Sequence, residues 1–151
     1  MADEWNYTNE FNAIFVNFGG SGGLLALVLL LAFRSRSSQS KTIGKLGLGA
    51  SMFNISEPIM FGVPIVLNPL LIIPFIIVPF VSVLVTYMAM LSGLVNPPIG
   101  ITVPWTTPIF ISGYLTTGSI MGALLQLVNL VLAELIYYPF FKKWDSICLE
   151  K

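Results

Sequence analysis

Histidine is absent from the 151 residues, and cysteine occurs once, at Cys148. Without histidine the chain lacks the usual neutral-pH general base and the commonest metal ligand, so neither a catalytic residue nor a metal or other cofactor is expected. One cysteine excludes an internal disulfide and a cysteine metal cluster. Lone thiols without an electropositive site are seldom reactive, and Cys148 reads as structurally idle in a polar tail. Charge is scarce as well: seven Lys and Arg against seven Asp and Glu amount to 9% of the chain and a formal net charge of zero. No nucleic-acid partner is expected from such a balance.

What is abundant is apolar sequence. With 56% hydrophobic residues and a mean hydropathy of +0.87, the chain reads as an all-α, polytopic membrane protein in contact with a lipid bilayer. The acids Asp3, Glu4 and Glu10 precede the first apolar segment, and the opening lacks the positive start and compact apolar run of a cleavable signal. Arg34, Arg36, Lys41 and Lys45 follow that segment, and Lys142 and Lys143 follow the last one. By the positive-inside rule the 34–45 loop and the C-terminus are cytoplasmic and the N-terminus is outside. An even number of crossings must then separate residue 45 from residue 142.

Along the chain, Phe11 to Phe33 is apolar but interrupted by Gly19-Gly20-Ser21-Gly22-Gly23. It is either a span broken at its glycines or a re-entrant hairpin with the glycines at its tip. The run either packs helices closely or presents backbone N–H groups to an oxygen-rich ligand, with Gly20, Ser21 and Gly22 as the candidates. Arg34 to Lys45 reads as a basic, serine-rich loop that sets topology and attracts anionic lipid, with docking of a cytoplasmic partner as the alternative. Residues 46–60 are too short and polar to cross with ease and suit a hairpin dipping in from the cytoplasm. Val63 to Leu91 is long enough to cross, with Pro64 and Pro69 in a non-helical entry and Pro74 and Pro79 kinking the span. Gly93 to Pro98 is turn chemistry. Gly118 to Phe141 has the length of a second crossing, with Tyr137, Tyr138, Lys142, Lys143 and Trp144 as interfacial anchors. Glu134 inside it is read as structural, with proton or ligand handling as the alternative. Asn6-Tyr7-Thr8 and Asn54-Ile55-Ser56 match the glycosylation pattern; the first means little without a secretory context and the second lies at membrane depth.

The stretch Asn54-Ile-Ser-Glu-Pro-Ile-Met-Phe-Gly-Val-Pro-Ile-Val-Leu-Asn-Pro69 is the unusual one. A charged side chain near the bilayer centre costs about 2.5–3.5 kcal/mol on insertion scales, so Glu57 should face a polar cavity. Pro58 disfavours a helical Glu57, so a helix arriving from Gly49 to Ser56 should break there, and broken backbone at that depth needs a protein-lined or watery setting. In the turn before the break Asn54 and Glu57 would share a face and grip one hydroxyl-rich ligand; Asn68 is a further candidate. Pro104-Trp105-Thr106-Thr107-Pro108 makes poor helix and a fair cavity lining. Trp105, followed by the hydroxyls of Thr106 and Thr107, suits the apolar face of a pyranose, or else an interfacial aromatic belt.

The motif from Asn54 to Pro69 resembles the signature of the membrane-spanning IIC components of the bacterial phosphoenolpyruvate-dependent sugar phosphotransferase system. The match is closest to the lactose/cellobiose/diacetylchitobiose branch. Gly19-Gly20-Ser21-Gly22, the Pro104–Pro108 stretch and Ile136-Tyr137-Tyr138-Pro139-Phe140-Phe141 agree in order and approximate spacing. The resemblance implies a plasma-membrane permease that moves a β-linked disaccharide inward while a cytoplasmic IIB partner, served by IIA, phosphorylates it. The phosphoryl group is carried by the IIB component, not by Cys148. It implies that the residue matching Glu57 meets sugar hydroxyls, and that the one matching Trp105 packs on the sugar. Glu57 as proton acceptor for the phosphorylated hydroxyl is a further expectation. Members are far longer, form homodimers and place a histidine near the sugar upstream of this region. The chain is therefore expected to be the C-terminal third, with the upstream helices supplied separately or lost in a truncated or split product. Residues 1–10 form a polar lead, 11–145 a partial translocation domain and 146–151 a cytoplasmic tail. Rival readings are a small proton-coupled exporter using Glu57 and a non-transporting membrane remnant.

Overall fold

Three helical stretches are long and apolar enough to cross a membrane in the computed structural model, which describes residues 9–149: Asn9–Arg34 (α1), Pro69–Leu91 (α4) and Ile120–Leu149 (α6). Between them stand Ser38–Met52 (α2), Glu57–Gly62 (α3) and Ile111–Thr117 (α5). No strand occurs among the described residues. The fold is thus all-α, with broken helices, as the composition requires. Asp3, Glu4 and the Asn6-Tyr7-Thr8 motif lie outside the described residues. At 1.5 Å per residue α4 is about 34 Å long, enough for a hydrocarbon core of about 30 Å, whereas α2 reaches only about 22 Å. Two of the long helices, α4 and α6, begin between residues 45 and 142.

The helix at the centre is α1. Its most apolar window is 83% buried, against 28% for α4 and 39% for α6. Leu24, Leu27, Val28 and Leu31 form one core with Ile59, Val63, Leu71, Val78, Tyr137 and Phe141. On α4, Ile76, Phe80, Leu84 and Met88 recur every fourth residue and stay exposed, an apolar stripe facing away from that core.

Through the glycine run α1 continues as one interrupted stretch long and apolar enough to cross a membrane. Gly20 and Gly22 have φ of +97° and +72°, a region that residues with a Cβ rarely enter. Close packing coincides: a Cβ on Gly20 would strike Ser56, and one on Gly22 would strike Phe75. Upstream, a wide π turn over Asn12–Val16 frees backbone carbonyls. Those of Ile14 and Phe15 accept from Gln126 Nε2 and Asn129 Nδ2 of α6 at 2.9 and 3.1 Å.

Several expectations are corrected. The basic loop ends at Ser37, because α2 begins at Ser38. The packing face of α2 consists of Ser40, Gly44, Gly47 and Ser51, small rather than apolar residues, so hydrophobic periodicity gives no helix signal there. Small residues still bind helices by letting backbones approach. The helix then stops at Met52, not at Glu57. Asn54 takes a left-handed conformation, φ +61°, and Glu57 opens α3 with Pro58 in the first turn, where a missing N–H is harmless. Asn54 and Glu57 therefore share no helical face. Downstream, α6 runs past the expected end at Phe141 and through the supposed tail to Leu149, with Cys148 in its last turn. Asp145 secures that end by accepting from Ser35 Oγ and Arg36 N–H at 2.5 and 3.0 Å. Tyr137, expected at the interface, is fully buried and donates to the Gly22 carbonyl at 2.9 Å.

Candidate functional site

Each wall of the candidate site comes from a place where a helix fails. The α1 wall is the bend, with Ala13 and Asn17 leading into Gly20 and Ser21. The second wall is the turn between α2 and α3, with Asn54, Ser56 and Glu57. Ile59, fully buried, seats α3 on the α1 core and so fixes where Glu57 emerges. The third wall is Trp105, on the irregular passage between α4 and α5. Val95 and Val103 hold that passage against Ile14, Phe15 and Leu125. Its far end, where Phe110 has φ +76°, is held by Gln126 Oε1, which accepts from the N–H groups of Phe110 and Gly113 at 2.7 and 3.1 Å.

These walls enclose an open cleft of ≈ 250 Å³. Glu57 is exposed on it and has no hydrogen-bond or ion-pair partner among the described residues, leaving both carboxylate oxygens free to accept. Trp105 is 59% exposed, an uncovered aromatic surface beside that acceptor. The amide of Asn54 is already engaged: Oδ1 accepts from Gly19 N–H and Nδ2 donates to the Trp105 carbonyl, each at 2.5 Å. Chemically the cleft offers a flat apolar face and an unpaired carboxylate, which suits a ligand with a C–H face and hydroxyl donors.

The family described as "Phosphotransferase system, EIIC" matches residues 5–79. The PTS system cellobiose-specific EIIC component of Geobacillus stearothermophilus is 58% identical over 92% of this chain and 31% of its own length. The lichenan permease IIC component of Bacillus subtilis (strain 168) is 53% identical over 96% of this chain and 32% of its own. The chain belongs to the EIIC family. It spans about a third of the length of these EIIC relatives. The crystal structure of the transporter ChbC, the IIC component from the N,N'-diacetylchitobiose-specific phosphotransferase system, superposes with a TM-score of 0.91 at 50% identity, over 93% of this chain and 33% of that one.

Within this EIIC chain the cleft gathers Asn54, Glu57, Trp105, Gly20 and Ser21 and leaves out the remaining candidates. Gly22 is buried, and its carbonyl accepts from the Tyr137 hydroxyl. Asn68 is the N-cap of α4, its Oδ1 accepting from Leu70 N–H at 3.0 Å. Thr106 and Thr107 follow Trp105 without lining the cleft, and Thr107 N–H closes a turn onto Pro104. Sequence reasoning missed Ala13, Asn17 and Ser56. Their only signal was proximity to the glycine run or to Glu57. It also took Glu10 for part of a polar lead, whereas its side chain is buried and lines a second cleft behind Trp105 with Thr102, Val103 and Pro104.

Proposed function

We propose that this chain carries the sugar-contacting part of a phosphotransferase permease for a β-linked disaccharide of the cellobiose or diacetylchitobiose type. Glu57 accepts from sugar hydroxyls, and Trp105 carries the apolar face of a pyranose ring. The substrate is delivered inward to a IIB component that is phosphorylated in turn by IIA. The setting is the bacterial plasma membrane, with the basic residues after α1 and the end of α6 on the cytoplasmic side. The observation that carries the reading is that Glu57 and Trp105, from separate broken segments, line one cleft. Homodimerisation belongs to the longer form and is part of the same proposal.

The test is isothermal calorimetry of the detergent-solubilised 151-residue chain with cellobiose and diacetylchitobiose. Saturable binding is expected, and Glu57→Gln should weaken it by about 10- to 100-fold, the range for losing a hydrogen bond to a charged group. Trp105→Ala should abolish it. No binding by a helical, monodisperse chain, or equal binding by both variants, would defeat the reading.

A further inference from the structure

The sugar reading leaves unused a pair of clefts where the end of α1 meets α6. One is an apolar groove of ≈ 350 Å³, lined by Leu29, Leu30, Phe33 and Leu135 and closed by Arg34, Glu134 and Tyr138. The other, of ≈ 230 Å³, is basic: Arg34, Arg36 and Lys142 stand around it, with Asp145 below. Arg34 and Tyr138 belong to both. The Arg34 guanidinium lies 5.9 Å from the centroid of the Tyr138 ring, so a cation–π pair marks the border between oil and charge.

The charges sort by their partners. Asp145 is buried, and its carboxylate is taken by Ser35 Oγ and the backbone N–H of Arg36. Glu134 lies on the apolar side, within electrostatic reach of Arg34, and offsets that one cation. Arg36 and Lys142 are exposed and have no ion-pair partner among the described residues. An apolar trough thus runs into uncompensated positive charge, just past the apolar parts of two membrane-spanning helices. Basic pockets between transmembrane helices at this level take anionic head groups.

We propose that this composite groove is a site for one anionic phospholipid. An acyl chain lies along Leu29, Leu30, Phe33 and Leu135, and the phosphodiester is held by Arg36 and Lys142 with help from Arg34. A soluble anion would use only the basic cleft and a zwitterionic lipid mainly the apolar one. The anionic amphiphile alone is complementary to both. The site is independent of the sugar cleft, whose residues it does not share.

Native mass spectrometry of the 151-residue chain in a neutral detergent tests this with phosphatidylglycerol, phosphatidylcholine and glycerol 3-phosphate titrated separately. One phosphatidylglycerol should be retained, about tenfold more tightly than phosphatidylcholine, and glycerol 3-phosphate should not be retained. The double variant Arg36→Gln/Lys142→Gln should bring phosphatidylglycerol down to the phosphatidylcholine level. Both side chains are exposed, and the Arg36 contact to Asp145 is through backbone, so the fold should survive. Glu134→Gln should strengthen retention by freeing Arg34. Equal retention of the two lipids by the unsubstituted chain overturns the proposal. So does glycerol 3-phosphate matching the lipid, which would make the site head-group only. Retention of no lipid at all also overturns it, and would assign the groove to a protein surface.

Discussion

The side-chain amide of Asn54 donates to the backbone carbonyl of Trp105 across 2.5 Å, while its Oδ1 accepts from Gly19 N–H. One residue in a left-handed turn thereby joins the bend of α1, the α2–α3 turn and the Trp105 passage. Each of these segments has lost regular helical bonding, and its exposed backbone polar groups need partners. Asn54 satisfies two of them and ties the backbone of Trp105 to the turn before Glu57.

Asn54→Gly separates this role from backbone strain, because glycine adopts φ +61° freely while lacking both hydrogen bonds. In a background with Trp5 and Trp144 changed to Phe, Trp105 emission should shift to the red and become more accessible to acrylamide. Cellobiose affinity should fall by about 30-fold, the equivalent of two ordinary hydrogen bonds of about 1 kcal/mol each. Unaltered Trp105 emission with the bonds gone would show that Asn54 does not position the ring.

Two glycines of α2 should respond to alanine with opposite signs. A Cβ on Gly44 would run into the backbone of Leu31 and Ala32, which cannot yield without moving α2 off α1. Gly49 has nothing within 4 Å of an added Cβ. Gly44→Ala should destabilise by about 1–3 kcal/mol through overpacking, and it should weaken sugar binding because α2 leads into the turn before Glu57. Gly49→Ala should stabilise by about 1 kcal/mol through helix propensity alone. Thermal unfolding of both variants in detergent checks the pair, and equal shifts would refute the packing argument.

Apolar run length was enough to find α4 and the apolar part of α6, since a span of about 20 residues is dictated by bilayer thickness. The cost of an ionised group at that depth singled out Glu57, and Pro104 and Pro108, which disfavour regular helix, singled out the Trp105 passage. What stayed hidden was held by contacts that leave no periodic trace. The helix Ser38–Met52 packs through glycine and serine, and its polar first half reads as loop by every hydropathy criterion. Tyr137 read as an interfacial anchor and Asp145 drew no reading at all, yet each fastens α6 to a residue more than a hundred positions away. Asn54 was legible as a site residue, but its left-handed turn was not, because Pro58 suggested a break after Glu57 instead of a new helix starting there.

Gln126 should be the polar residue of α6 least tolerant of change. Its Nε2 donates to the Ile14 carbonyl and Ser112 Oγ, and its Oε1 accepts from Phe110 and Gly113 N–H. Leucine has nearly the same shape but would leave these buried groups unpaired at once. Gln126→Leu should cost about 2 kcal/mol or more, beyond the range of single bonds measured in membranes. Hydrogen exchange should rise at Phe110 and Gly113 in particular. A stability loss without added exchange at those amides would mean that Gln126 acts through packing.

Tyr137→Phe deletes one hydroxyl and keeps the buried ring. The bond it removes ends on Gly22, inside the bend whose neighbours Gly20 and Ser21 line the cleft. Because the ring still fills its place in the core, the change in stability should be only about 0.6–1.7 kcal/mol, as for other interhelical hydrogen bonds in membranes. The functional effect should be the larger share. With its carbonyl released, Gly22 no longer anchors the bend to α6, and the wall bearing Gly20 and Ser21 becomes free to shift against Glu57. Calorimetry should therefore show weaker cellobiose binding with a more unfavourable entropy, at nearly unchanged thermal stability. If affinity and its entropy stay at the unsubstituted values, the bend is held by Phe75 and Val78 packing on Gly22 and Gly23, and Tyr137 serves the core alone.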